Sequence, residues 1–145
     1  MATKEKLVTV KREIGDLRSN ALSVTEQNIL DFIENQVNKE DELFNAFEQS
    51  VNEKKFNEAL ILFFQVIQRT NLMYSYIFQP NIISMLANAK IATVVQDLID
   101  CLSEIVADVV ATIKANIKEM GLESISVTML SNPPSINITL GIKNA

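Results

Sequence analysis

The sequence predicts a mainly helical protein, an up-and-down bundle of four main helices followed by a C-terminal β-hairpin. Apolar residues recur at steps of three and four over most of the first 120 residues, which is the period of an amphipathic helix. After Gly121 the spacing changes to strict alternation, which is typical of strands. With 145 residues, 48% of them hydrophobic, the chain can bury one core. We therefore expect a single domain, with the bundle in residues 1–120 and the hairpin in residues 121–145.

Three helices are predicted in the first half of the chain. The first covers residues 3–22. The second begins at a capping box formed by Ser23 and Glu26 and continues to Val51, with a break near Asn38 as the alternative. Residues 39–42 (Lys-Glu-Asp-Glu) interrupt its apolar pattern, and we interpret them as solvated surface. The third helix, from Phe56 to the residues before Pro80, carries the aromatic centre of the core.

The fourth helix is predicted over residues 81–120, between Pro80 and Gly121, and would be about 40 residues and roughly 60 Å long. Residues 87–90 (Ala-Asn-Ala-Lys) leave open a kink or a break near its start. One face is apolar throughout: Ile91, Val95, Leu98, Leu102, Val106, Val109, Ile113, Ile117 and Met120. Cys101 borders this face, which favours an inert, buried thiol.

Four carboxylates follow the opposite face of this helix: Asp97, Asp100, Glu104 and Asp108. At 100° per residue they lie within an arc of about 80°. This stripe is either the solvated side of an amphipathic helix or a surface presented to a basic partner. A metal site would have no histidine ligand, and we expect no bound metal.

The C-terminal pattern predicts a β-hairpin in which Leu130 pairs with Ser135. This register places the apolar residues of both strands on one face: Ile125, Val127, Met129, Ile136, Ile138 and Leu140. An isolated two-stranded hairpin is marginal in water. It must therefore cover the bundle, pair with another copy or insert into a partner. In a partner complex we expect contact through Met129, Leu130, Pro133, Pro134 and Ile136.

Composition argues against several classes of protein. The chain has no histidine, one cysteine and three isolated glycines, so it lacks the residues of a histidine-based triad, a His or Cys zinc site, a P-loop and a dinucleotide fingerprint. We expect a protein that is not an enzyme and uses no cofactor. The N-terminal residues lack the apolar core of a signal peptide, and no apolar run is long enough for a membrane span. These features predict a cytoplasmic protein that does not bind membranes.

The net charge is −5 and is unevenly distributed. Residues 1–22 carry five basic and three acidic side chains, whereas residues 23–58 carry three basic and nine acidic ones. Nucleic acid is bound by clusters of Lys and Arg that neutralise phosphates. We therefore expect no direct binding of DNA or RNA, and contact with a protein partner instead.

The helical layout, the abundance of Asn and Ile, and the tail SISVTMLSNPPSINITLGI resemble small helical-bundle proteins of spindle-shaped viruses of thermoacidophilic archaea, including the two-tailed virus. This resemblance implies a non-enzymatic inhibitor of host RNA polymerase, which would occupy the DNA-binding channel and restrain the clamp. The alternative is a structural, coat-like virion protein that self-associates through the hairpin or the basic first helix. The resemblance includes no signature motif that identifies a functional residue. The predicted contact residues therefore depend only on the acidic face of the fourth helix and on the alternating pattern of the hairpin.

Overall fold

The computed structural model describes residues 3–20, 22–131 and 134–142 and is mainly helical, with a two-stranded antiparallel sheet at the C-terminal end. The predicted fold class is confirmed. The elements in chain order are α1 (Thr3–Arg18), α2 (Val24–Asn52), α3 (Phe56–Ile77), the short α4 (Pro80–Ile83), a 3-10 turn (Ser84–Ala87), α5 (Ala89–Ala115), β1 (Leu122–Ser131) and β2 (Pro134–Ile142).

Neighbouring main helices run antiparallel. Their contacts pair rising residue numbers on one helix with falling numbers on the next, which is the signature of an up-and-down bundle. The pairs are Lys4–Glu48 and Arg18–Asp31 between α1 and α2, Phe47–Phe63 and Phe32–Tyr76 between α2 and α3, and Lys6–Glu104 between α1 and α5. Lys90 at the start of α5 also contacts Asn20, two residues after the end of α1.

One apolar core is shared by the bundle and the hairpin. Its largest fully buried side chains include Phe47 and Phe63, whose ring centroids lie 6.4 Å apart. The hairpin adds Leu122 and Ile136 to the same cluster. Full burial of a side chain of this size contributes about 1.5–3 kcal/mol, so the hairpin gains stability from the helices on which it packs.

α2 is a single helix, as predicted, and its capping box is present. Ser23 Oγ accepts from the Glu26 N–H at 3.1 Å, and Glu26 Oε1 accepts from the Ser23 N–H at 3.0 Å. The interpretation of residues 39–42 as solvated surface is wrong for Glu40, which is 0% exposed. The buried positions 33, 37, 40, 44 and 47 keep the three–four spacing, so Glu40 occupies a core position of the helix.

The prediction of one 40-residue helix over residues 81–120 is wrong in its length. The open alternative of a break near its start is correct, because α5 begins only after Asn88, whose side-chain Oδ1 accepts from the N–H groups of Lys90 and Ile91. α5 ends at Ala115, where Asn116 Nδ2 donates to the Thr112 carbonyl at 2.8 Å. Gly121, with φ of +71°, ends the turn that follows rather than the helix. α1 likewise ends earlier than predicted, at Arg18.

α2 ends in a Schellman motif that places a lysine in the left-handed region. Lys54 has φ of +59°. The Lys55 N–H donates to the Ser50 carbonyl at 2.8 Å and the Lys54 N–H to the Val51 carbonyl at 3.0 Å. Glycine adopts this conformation without the Cβ clash that lysine incurs.

We expect Lys54→Gly to raise the free energy of unfolding by about 0.5–1 kcal/mol, because it removes this clash. Denaturant titration measures the change. Lys55→Gly is the matched control, since Lys55 has an ordinary negative φ of −89° and should lose stability through greater freedom of the unfolded chain. Equal effects of the two substitutions would contradict the explanation.

The hairpin has the predicted register. Leu130 pairs with Ser135, Met129 with Ile136, Val127 with Ile138 and Ile125 with Leu140, and an irregularity lies between Leu122 and Ser124. β2 contacts α3, and β1 has a smaller contact with α5. The hairpin therefore covers part of the bundle with β2, while most of β1 is exposed.

Candidate protein-binding surfaces

The four predicted carboxylates of α5 lie along the seam between α5 and α1. Glu104 Oε1 accepts from Lys6 Nζ at 3.0 Å, and Asp108 Oδ2 accepts from the Thr3 hydroxyl. Asp97 and Asp108 are half-buried, whereas Asp100 is exposed. Glu104 and Asp108 are thus used to hold α1, and Asp100 is the member of the stripe that is most open to solvent. The proposed role of the stripe in binding a partner stays a prediction.

A carboxyl pair lies within the same seam. The pKa of Glu13 is raised to about 7, chiefly by burial and also by its hydrogen bond with Asp97 and the negative charge of Asp97. Glu13 Oε1 is buried and has no hydrogen-bond partner among the described residues. Glu13 therefore keeps its proton to near neutral pH, and the negative charge of the seam grows as this proton is released.

The predicted contact residues of the hairpin separate into two groups. Met129 and Leu130 are 61% and 51% exposed, and Pro134 is half-buried. Ile136 is only 2% exposed and belongs to the core. Pro133 lies outside the described residues. The tip of β1 is therefore open to contact, whereas Ile136 fixes the hairpin to the bundle.

Asn71 of α3 holds β2 by two hydrogen bonds to one residue. Its Nδ2 donates to the Ile136 carbonyl at 2.8 Å, and its Oδ1 accepts from the Ile136 N–H at 2.7 Å. This arrangement imitates the pairing of a neighbouring strand, so the edge of β2 is occupied at Ile136 by a side chain. Asn71 is polar and belongs to no apolar repeat, so it was not identified from the sequence.

α3 also carries exposed apolar side chains at Ile61, Phe64 and Leu72, and Phe64 lies beside β2. We call these three residues the α3 outer face. Two hollows flank it and share Gln68: one of about 510 Å³, lined by Leu43 and Leu72 among others, and one of about 250 Å³ between Phe64 and Ile138 of β2. The sequence pattern assigns the aromatic residues of this helix to the core and therefore does not predict the exposure of Phe64.

A buried polar cluster lies between α2 and α3. Thr70 Oγ1 donates to Glu40 Oε2 at 2.6 Å, and Arg69 Nη1 donates to Gln36 Oε1 at 2.5 Å. Burial raises the pKa of Glu40 to about 8, against the opposing effects of Thr70 and Arg69. Glu40 Oε1 has no partner among the residues that the structure describes. Position 40 keeps the three–four spacing of the buried residues of α2, and this spacing was the sequence signal that could have revealed a buried Glu40.

Cys101 is buried, as predicted, and burial raises the pKa of its thiol to about 12. A thiol that stays protonated is a poor nucleophile and metal ligand. Over the described ranges, no group of three or more His, Cys, Asp or Glu side chains is arranged to hold a metal ion. None of the helices in these ranges combines the length and apolar character of a membrane span.

Comparisons of the chain with protein-family models, with curated proteins and with solved structures found no match.

Proposed function

We propose that this protein is a non-enzymatic regulator that acts by binding another protein through the α3 outer face and the tip of β1. The exposed apolar side chains of Phe64, Leu72, Met129 and Leu130 carry the proposal. Monomeric proteins rarely expose large contiguous apolar patches, and such patches commonly mark contact sites. Burying aromatic and aliphatic anchors of this kind supplies most of the affinity of a typical interface.

The proposed partner is host RNA polymerase, with the protein acting in the host cytoplasm. This choice rests on the resemblance to small proteins of archaeal spindle-shaped viruses. In this role the protein occupies the DNA-binding channel and restrains the clamp. Its net charge of −5 is compatible with a channel that binds the phosphates of DNA, because complementary charge speeds association and favours the correct partner.

The test is binding of the full chain to purified archaeal RNA polymerase, with DNA displacement as a second readout. Phe64→Ser combined with Leu72→Ser should weaken binding at least about tenfold, because it removes two apolar anchors. Val8→Ser combined with Val24→Ser is the matched control, since both valines are exposed but lie on α1 and α2. Equal loss in both double variants, or no binding by the wild type, would contradict the proposal.

A second arm of this experiment concerns the acidic stripe. Asp100→Asn should reduce both the affinity and its dependence on salt, because Asp100 is exposed and available to a basic surface. Glu104→Gln is less informative, since it also breaks the contact with Lys6. An unchanged salt dependence in Asp100→Asn would make this carboxylate part of the ordinary solvated surface.

The second candidate function is that of a structural, coat-like virion protein. The observation in its favour is the exposed strand β1, which has no charged residue between Ser124 and Ser131 and offers an edge through which two subunits can pair as one step of assembly. Light scattering separates the two candidates, because a coat subunit assembles into large particles or filaments. A regulator remains a small species of fixed size.

A further inference from the structure

The outer edge of β1 is open. In the described part of the chain the sheet contains two strands, and β2 lies on the side of α3. The side chains of residues 126–131 are all exposed. Strand edges expose N–H and C=O groups that readily pair with another strand.

The hydrogen bonds of Asn71 show which groups of β1 face this open edge. Because Asn71 binds both the N–H and the C=O of Ile136, these groups point away from β1. Ile136 and its partner Met129 therefore form a non-hydrogen-bonded pair, and such pairs alternate with hydrogen-bonded ones along an antiparallel ladder. The backbone groups of Met129, Val127 and Ile125 consequently point outward from β1.

Between Ser124 and Ser131 this edge has none of the features that usually protect an edge strand. Proteins commonly block edges with lysine, proline or a bulge. The segment from Ser124 to Ser131 reads SISVTMLS and contains neither a charge nor a proline, and the irregularity of the ladder lies before it. Val127 and Met129 are 37% and 61% exposed. An acidic protein thus presents a neutral, partly apolar strand along an open edge.

We propose that β1 pairs antiparallel with β1 of a second copy of this chain, around a two-fold axis at Val127. Val127 then faces Val127 of the second copy and Ile125 faces Met129, and all of them use outward backbone groups. Glu123, the one charged residue of β1, faces Ser131 rather than another acid.

The pairing joins the two hairpins into one four-stranded sheet. A two-fold axis perpendicular to the sheet keeps the same face of both hairpins on the same side, so the apolar faces become continuous. A four-stranded sheet with an apolar face is more stable than an isolated pair of strands. The surface used here is the backbone edge of β1, which includes Met129 of the proposed partner surface, but the inference does not depend on the α3 outer face or on the identity of a partner.

Sedimentation velocity of the full chain over a concentration series up to about 1 mM tests the proposal. The wild type should form a discrete dimer. Val127→Lys and Val127→Glu should each be monomeric, since like charges would face each other across the axis. An equimolar mixture of the two variants should dimerise again, which shows that both are folded. A monomeric wild type, or dimers that persist in both single variants, would overturn the proposal.

Cysteine cross-linking tests the register. Residues facing each other in a hydrogen-bonded antiparallel pair have Cα atoms about 5.5 Å apart, which suits a disulfide. Val127→Cys should form a disulfide-linked dimer under mild oxidation. Met129→Cys should not, because it lies on the same face but meets Ile125 of the second copy. The native Cys101 is buried and should not react. Equal cross-linking at positions 127 and 129 would reject the two-fold axis at Val127.

Discussion

Ionisation of Glu40 should lower the free energy of unfolding by about 4 kcal/mol between about pH 5 and pH 9, and Glu40→Gln should remove this contribution. Glu40 is fully buried between α2 and α3, and its pKa is raised to about 8. The folded protein therefore keeps this carboxyl protonated well above the pH at which an exposed carboxyl ionises.

The sign of this pH dependence follows from the number of protons that the folded and the unfolded states bind. The unfolded chain releases the Glu40 proton near its ordinary pKa of 4.5, whereas the folded protein holds it until about pH 8. Between these values the folded state binds more protons, so raising the pH stabilises the unfolded state. The loss of stability caused by Glu40 is absent below about pH 4.5 and complete above about pH 8. Gln has no charge to bury, and its carbonyl can still accept from Thr70.

Denaturant titrations at a series of pH values measure this effect. Glu42→Gln is the matched control, because Glu42 is exposed on the same helix and its loss should leave the pH dependence unchanged. Glu13, with a pKa of about 7, adds to the fall below neutral pH, and Glu13→Gln separates its share. A Glu40→Gln protein with the wild-type slope between about pH 7 and pH 9 would contradict the assignment to Glu40.

Asn71→Ala should release the hairpin from the bundle, at a cost of about 2–3 kcal/mol to its docking. The substitution removes both hydrogen bonds to Ile136 and leaves its N–H and C=O without partners beside the core. Amide hydrogen exchange is the direct measurement, since protection of the Ile136 N–H should drop while that of the α2 and α5 amides is retained.

Two further variants define the role of Asn71. Asn71→Asp keeps an acceptor for the Ile136 N–H but loses the donor to its carbonyl, so its effect should be intermediate. Asn137→Ala is the control, because Asn137 is exposed on the neighbouring position of β2. If Asn71→Ala leaves the exchange of Ile136 unchanged, the packing of the Ile136 side chain alone holds the hairpin.

Local patterns were sufficient to predict most of the fold. The capping box at Ser23 and the alternation after Gly121 are short-range signals, and both the start of α2 and the hairpin register agree with them. The break before α5 was less predictable, because residues 81–86 contain four apolar side chains and no glycine or proline separates them from α5. The break depends on Asn88, because an asparagine side chain is more favourable at the N-cap of a helix than in a helix interior.

The candidate surfaces were harder to predict, because they depend on which helices become neighbours. The four carboxylates of α5 share a face, as expected, but the sequence did not show that α1 covers them through Lys6 and Thr3. The pairing of Asn71 with Ile136 joins residues 65 positions apart. Contacts of this kind have no periodic signal and emerge only from the tertiary arrangement.

The double hydrogen bond of Asn71 also limits how far the sheet can grow. A hairpin with two free edges can add neighbours on both sides and extend into a filament. Here one edge is filled by a side chain that already uses the donor and the acceptor of Ile136, and α3 lies against the same side. Strand addition can therefore occur once, on β1, and any larger assembly of this protein has to use a different surface.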